Sequence, residues 1–119
     1  MLYFRFLWLI AGWGLITAVS ILSLIPPIDT GIQTFSHIDK LEHFFAYFVM
    51  MFWFSLLYPT NHGRLMCFIG FLLMGLSVEL LQSLTSTRHA DGWDMLANSV
   101  GVLFAWFISQ RYFSKKLAE

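Results

Sequence analysis

The chain of 119 residues is 58% hydrophobic and only 12% charged, whereas a typical soluble domain has about 25% charged residues. Seven basic and seven acidic residues are too few to cover the surface of a soluble domain, so the composition excludes an ordinary soluble protein and favours one that faces lipid. The formal net charge is zero, so nothing in the overall balance points to nucleic acid, and we expect no nucleic-acid partner.

Four apolar segments are long enough to cross a bilayer, whose core of about 30 Å needs about 20 helical residues. The first ends before Pro26-Pro27, which cannot continue a helix. A cleaved signal peptide is the alternative for this segment, but its uncharged run continues past Ala18 to Ile25, which favours a retained span. The sequence therefore predicts an all-α fold, a transmembrane four-helix bundle in which one domain covers residues 1–119. The predicted spans are residues 6–25, 41–58, 65–84 and 94–110.

Charged residues are distributed unequally between the two sides of this predicted bundle. Five of the seven bases lie near the termini or the connection between spans two and three, and the positive-inside rule therefore predicts that both termini are cytoplasmic. These bases are Arg5, Arg64, Arg111, Lys115 and Lys116. Six of the seven acids lie toward the exterior half, namely Asp29, Asp39, Glu42, Glu79, Asp91 and Asp94. Since acids contribute little to topology, their asymmetry indicates a site at the exterior end.

The first polar cluster opens the second span. Asp39 and His43 are four residues apart and share a helix face, so the carboxylate can orient the imidazole or stabilise its cation. The alternative is an interfacial cap, in which Asp39 caps the helix and Lys40 reaches the lipid headgroups. The tryptophans and tyrosines of the chain, Tyr47 among them, are interpreted as exposed, and some of them fall at the predicted interfaces as an aromatic belt would.

The second cluster is Glu79 and Gln82, which lie on one face of the third span. Glu79 follows Leu65 by fourteen residues, which places it roughly 21 Å into the span. An acidic side chain at a helix centre costs about 2.5–3.5 kcal/mol, so Glu79 is expected to face the bundle interior, with a partner or a proton. The alternative is a purely structural contact with Arg88 or His43 that fixes helix register.

The third cluster opens the fourth span with Arg88, Asp91, Asp94 and Asn98. The last three lie at offsets 0, 3 and 7 and predict one polar stripe that descends into the bundle. In the structural alternative, one of the two aspartates is the N-cap of the helix, and Asn98 makes a hydrogen bond to another helix. Small residues recur every four positions on the neighbouring stripe and predict close helix packing: Ala97, Gly101 and Ala105.

The combined spacing resembles the VanZ-like family of small bacterial membrane proteins. The motifs are Asp39-Lys40-x-x-His43-Phe44, Glu79-x-x-Gln82, and Arg88-x-x-Asp91-x-x-Asp94-x-x-x-Asn98-x-x-Gly101. The sequence departs from the family pattern at Thr87 and Ala105, where family members often have glycine. The resemblance covers residues 39–105. It implies a multi-pass protein of the bacterial inner (plasma) membrane, in a family named for an accessory protein of teicoplanin resistance, and it supplies no reaction and no cofactor.

The leading functional hypothesis is an exterior-facing polar pocket that binds or processes the headgroup of a cell-envelope lipid or lipid-linked precursor, with a link to glycopeptide resistance implied by the resemblance. Lys40 and Arg88 would hold a phosphate, and Glu79 would act as a general base with His43. The candidate catalytic residues are His43, Glu79 and Asp94, and the candidate ligand-binding residues are Asp39, Lys40, Gln82, Arg88, Asp91 and Asn98.

Three alternatives stay open. A small proton- or ion-coupled transporter would relay ions through His43, Glu79 and Asp94. A structural or adaptor subunit would use the cluster only to fix helix register and would bind an envelope protein or a second copy of the chain. A metal site would take ligands from these three residues and Asp91, but the spacing is diagnostic of no metal. The sequence therefore identifies no metal and no cofactor.

Overall fold

The computed structural model describes residues 4–24, 36–84 and 92–118, with the side chains of residues 36–39 and 113–118 outside the description. The described residues form four α-helices and no strand, which confirms the all-α prediction. The helices are α1 (Arg5–Leu24), α2 (Ser36–Leu57), α3 (Asn61–Ser83) and α4 (Gly92–Ala118). Helix α4 continues past the predicted end of its span because residues 111–118 contain no glycine or proline that would end it.

Three of the helices are long and apolar enough to cross a membrane: α1, α2 over Lys40–Leu57, and α3. These helices indicate a membrane protein. Helix α4 does not meet the same criterion, and its first two turns carry Asp94 and Asn98. Both side chains are buried inside the bundle, so the outer surface of α4 can still be apolar.

A short turn sets α2 and α3 antiparallel. The α2 ladder ends with the amide of Tyr58 donating to the carbonyl of Phe54 at 2.9 Å. Thr60 then caps α3, since its extended backbone lets Oγ1 accept from the amide of Gly63 at 3.0 Å. Gly63 is needed there, because a Cβ would lie 2.9 Å from both Thr60 Oγ1 and Tyr58 Cβ. The two helices therefore reverse direction within three residues.

One end of the bundle is held by two arginines, and we call it the Arg64 end. Arg5 Nη2, at the start of α1, donates to the carbonyl of Leu57 at 3.1 Å. Arg64, in the first turn of α3, donates to the carbonyl of Pro59 at 3.1 Å and to the side chain of Gln110 on α4. The start of α1, the end of α2, the start of α3 and the second half of α4 therefore meet at this end.

The opposite end, which we call the Asp94 end, joins the end of α1 to α3 and the start of α2 to α4. Gln82 Nε2 donates to the carbonyl of Ser23 at 2.6 Å, and Lys40 Nζ lies 2.5 Å from Asp94 Oδ1. Each helix therefore runs antiparallel to its neighbour in sequence.

The core lies mainly between α2 and α4, whose backbones approach closely at Gly101. A Cβ on Gly101 would collide with the carbonyl oxygen of Phe44 and would lie 3.2 Å from the amide nitrogen of Phe48. Ala105, one turn later, is fully buried, and Ala97 is half-buried. The prediction of close packing along this stripe is confirmed. The apolar core residues are Tyr47, Met50, Met51, Phe54, Leu57, Phe71, Val102 and Ala105.

Helix α1 lies at the edge of this core, and only Gly12 and Ser23 along it are buried. It is attached chiefly by aromatic contacts, since the Trp8 and Trp53 rings lie 4.3 Å apart and Trp53 Nε1 donates to the carbonyl of Trp8 at 2.9 Å. Gly12 allows the approach, because a Cβ there would lie 2.9 Å from the Phe54 ring. Most of α1 is therefore left for contact with lipid.

Candidate functional site

A buried carboxylate joins two basic side chains at the Asp94 end. Asp94 is 6% exposed and lies on the face of α4 turned toward α2. Lys40 Nζ lies 2.5 Å from Asp94 Oδ1, and His43 Nε2 lies 3.6 Å from Oδ2. Lys40 and His43 are three residues apart, so α2 presents both to the same partner. We call Lys40, His43 and Asp94 the outer layer of the site.

The outer layer is only partly closed to its surroundings. The Lys40 side chain is 27% exposed, whereas those of His43 and Asp94 are 14% and 8% exposed. The ammonium therefore balances the charge of the buried carboxylate and also reaches the surface of the bundle. A positive group in this position can bind an anion at the surface of the bundle while it stays close to Asp94.

A second group of polar side chains lies one turn deeper, and we call Tyr47, Glu79 and Asn98 the inner layer. They come from α2, α3 and α4 and are 1%, 7% and 2% exposed. Glu79 is close enough to Tyr47 for an electrostatic interaction with its hydroxyl. Helix α3 comes near Asn98 and Tyr47 at Gly75, one turn before Glu79. A Cβ on Gly75 would lie 3.5 Å from Asn98 Nδ2 and 3.6 Å from Tyr47 Cε2. Three helices thus contribute one polar group each to the same layer.

Two atoms of the inner layer have unused hydrogen-bonding capacity. Within the part of the chain that the structure describes, the Tyr47 hydroxyl and Asn98 Oδ1 have no hydrogen-bond partner. A buried polar group left in this state costs about 1–3 kcal/mol. Such a cost is usually offset by a ligand, a water molecule or a function, which makes the inner layer a candidate binding site.

Gln82 is buried like Glu79, but its amide points toward α1. Its Nε2 donates to the carbonyl of Ser23 at 2.6 Å, in the last turn of α1. Carbonyl oxygens in the last turn of a helix have no N–H donor within their own helix. Gln82 supplies such a donor and therefore caps the end of α1. The predicted ligand-binding residue Gln82 therefore has an identified structural contact, and it ties the peripheral helix to the site.

Three predicted site residues cannot be placed. Arg88 and Asp91 lie outside the described residues, as does the side chain of Asp39. The predicted contacts of Asp39 with His43 and of Arg88 with Glu79 stay predictions. In the ranges 4–24, 36–84 and 92–118, no group of three His, Cys, Asp or Glu side chains is arranged to hold a metal ion.

Sequence reasoning missed two residues. The interpretation of Tyr47 as an exposed aromatic residue was wrong, since the side chain is 1% exposed. The spacing of Lys40, His43 and Tyr47, at offsets 0, 3 and 7, is the signal that places Tyr47 on the site face of α2.

Arg64 is the second missed residue. The sequence marks it as a base that sets topology, but the side chain is 2% exposed and donates to Asn61 Oδ1 at 2.8 Å, besides its bonds to Pro59 and Gln110. Arg64 therefore ties the turn between α2 and α3 to α4.

Comparison of the chain with family models, with curated proteins and with solved structures found no match.

Proposed function

We propose that the Asp94 end binds, and through acid–base chemistry processes, the phosphate-bearing headgroup of a cell-envelope lipid or lipid-linked precursor. The observation that carries this proposal is the convergence of buried polar side chains from three apolar helices on one place. Polar and ionisable groups are expensive inside a membrane, and they usually mark a ligand or ion pathway. The two-layer arrangement, with Lys40 above Glu79, Tyr47 and Asn98, supports a headgroup site.

Lys40 is the group that would receive the phosphate. Its partly exposed ammonium contacts Asp94 on one side and the surface on the other. A phosphate oxygen would share the ammonium with Asp94 in a charge-assisted hydrogen bond. Arg88, near the same end in sequence, is the proposed second phosphate ligand.

The deeper groups supply the chemistry. Glu79 would act as a general base with His43, while the Tyr47 hydroxyl and Asn98 amide would hydrogen-bond the ligand. The resemblance to the VanZ-like family supports a role in the bacterial envelope, including a link to glycopeptide resistance. It also supports placing the chain in the plasma membrane as a four-helix bundle.

The site would face the exterior, with both termini in the cytoplasm. This orientation is supported by Arg5 and Arg64, which lie together at the end opposite the site, and by the positive-inside rule. Helix α4 would complete the bundle by presenting Asp94 and Asn98 inward and apolar side chains outward, among them Leu103, Phe104 and Phe107.

Binding can be measured with the protein in phosphatidylcholine nanodiscs that contain a small fraction of a polyprenyl phosphate. We expect Lys40→Gln to reduce retention of the polyprenyl phosphate about tenfold, as loss of one charge-assisted contact would do. Lys40→Arg, which keeps the charge, should retain most of the binding. Arg111→Gln is the matched control, since it removes an exposed base on the far half of α4. Equal retention by Lys40→Gln and Arg111→Gln would contradict the proposal.

Processing is tested separately in cells. Glu79→Gln and His43→Ala, at wild-type abundance in the membrane, should lose the envelope-stress or glycopeptide phenotype of the gene. Full retention of that phenotype by both variants would rule out the acid–base role. Ion flux through proteoliposomes that is abolished by Glu79→Gln would instead support the transporter alternative.

A further inference from the structure

A groove between α1, α2 and α3, near the Arg64 end, lies away from the polar site. It encloses about 450 Å³, which is within the usual range of about 300–1,000 Å³ for small-molecule sites. None of its ten lining residues is charged: Trp13, Ile16, Phe54, Tyr58, Gly63, Met66, Cys67, Gly70, Phe71 and Met74. Trp13 and Met66 are more than half exposed, so the groove opens on the outer surface of the helices.

The groove follows α3, which contributes six of its ten lining residues, Gly63 and Gly70 among them. Gly63 and Met74 mark its limits along α3, and the eleven helical steps between them span roughly 16 Å. A Cβ at Gly70 would meet no atom within 4 Å, so the space above Gly70 is open. This length fits one extended hydrocarbon chain lying along α3.

A cation lies beside the end of this groove. The guanidinium of Arg5 lies over the Tyr58 ring, 5.1 Å from its centroid, and Tyr58 lines the groove. Arg5 is exposed and uses Nη2 to donate to the carbonyl of Leu57. A guanidinium has five N–H donors, so Arg5 retains donors for an anion. The N-terminus of α3 lies at the same end and adds partial positive charge.

We propose that this groove holds an acyl chain of an anionic phospholipid whose phosphate binds to Arg5. An apolar groove on helices that cross a bilayer faces hydrocarbon, and a chain inside it restores dispersion contacts that a void would lose. Arginine matches phosphate with two parallel hydrogen bonds. A second copy of this chain is a poorer occupant, because its apolar helices would leave the Arg5 charge facing an uncharged surface.

This lipid site is independent of the proposed headgroup site. It lies at the Arg64 end, whereas Lys40 and Asp94 lie at the opposite end of α2 and α4. Substitutions in one site therefore leave the other unchanged, and each proposal can fail without the other.

Gly70→Leu tests the groove directly, because the new side chain enters open space and fills the place of the acyl chain. The matched control is Gly14→Leu, since Gly14 on α1 also has no atom within 4 Å of a Cβ but does not line the groove. In nanodiscs with equal phosphatidylglycerol and phosphatidylcholine, we measure phospholipid retained by the released protein in native mass spectrometry. We expect Gly70→Leu to reduce retained phosphatidylglycerol about tenfold and Gly14→Leu to leave it unchanged.

A second readout locates the chain and tests its headgroup. Phosphatidylglycerol with a photoreactive acyl chain should crosslink to Met66 and Met74 in the wild type and not in Gly70→Leu. Arg5→Gln should keep these crosslinks while losing the preference for phosphatidylglycerol over phosphatidylcholine, and Arg5→Lys should keep part of it. Equal crosslinking in Gly70→Leu, or no headgroup preference in the wild type, would overturn the proposal. A change of oligomeric state in Gly70→Leu without loss of lipid would assign the groove to a second copy instead.

Discussion

Asp94 explains why charged residues of this chain are clustered at one end of the bundle. A carboxylate that is 6% exposed needs a partner, and Lys40 supplies one at 2.5 Å while His43 lies within 3.6 Å. Breaking a buried ion pair on one side is costlier than replacing both members, because one charge is left without compensation. The pair therefore acts as a unit in stability as well as in the proposed binding of phosphate.

Single and double substitutions of this pair have different expected effects. Lys40→Gln should lower the free energy of unfolding by about 1–3 kcal/mol, less than for a fully buried pair because Lys40 is partly exposed. Adding Asp94→Asn should restore most of the loss. The measurement is unfolding in mixed micelles titrated with a denaturing detergent. Glu42→Gln, an exposed neighbour on α2, is the control and should change stability by less than about 0.5 kcal/mol. Additive losses in the double variant would contradict the coupling.

The contact between α2 and α4 determines where the polar side chains of the two helices meet. Gly101 lies one turn beyond Asn98 on α4, and its missing side chain lets the backbone of α2 approach at Phe44. Phe44 directly follows His43, so the same approach brings the site face of α2 against Asp94. The spacing of the two helices and the geometry of the outer layer are therefore set together.

Gly101→Ala is expected to be strongly destabilising despite the higher helix propensity of alanine. The new Cβ meets a backbone carbonyl, which cannot rotate away, so α2 and α4 must separate at a cost of about 1–3 kcal/mol or more. Gly14→Ala is the matched control. It enters open space on α1 and should stabilise the fold by up to about 1 kcal/mol. Thermal unfolding in detergent compares them, and equal shifts in the two variants would show that the close approach is absent.

Gln82 connects the peripheral helix to the rest of the molecule at its Asp94 end. Gln82→Ala removes the donor to the Ser23 carbonyl, so the last turn of α1 should open more often. Hydrogen exchange at the amides of residues 22–24 should become several-fold faster, with exchange near Trp8 unchanged because that contact is at the other end. Ser83→Ala, an exposed neighbour whose hydroxyl bonds its own helix at Leu80, is the control. Unchanged exchange at residues 22–24 would show that Gln82 does not hold α1.

Over the whole molecule, the four helices could be predicted from the sequence because each apolar run is bounded by proline, by a charged residue or by a polar segment. Helical periodicity also placed Asp94 and Asn98 correctly on a buried face, and the cost of a carboxylate in a membrane placed Glu79 inside the bundle. Periodicity does not identify partners, however, so the pairing of Lys40 with Asp94 was not predicted. Tyr47 was missed because aromatic residues occur at interfaces and in cores alike.

The predicted orientation of the whole molecule rests on bases that the fold brings together at one end. Arg5 and Arg64 lie together at the Arg64 end, and the C-terminal half of α4 is joined there by Gln110. Moving such a cluster of bases across the membrane is disfavoured, so this end should stay in the cytoplasm.

Since Cys67 is the one cysteine of the chain, a Cys67→Ser background allows single cysteines to report sidedness. In intact cells, a membrane-impermeant maleimide should label Thr30→Cys, in the predicted exterior connection, and should leave Ser114→Cys unlabelled until the cells are permeabilised. The reverse pattern would place the Asp94 end in the cytoplasm. It would also exclude an exterior headgroup as the ligand, because Lys40 and Asp94 would then face the wrong leaflet.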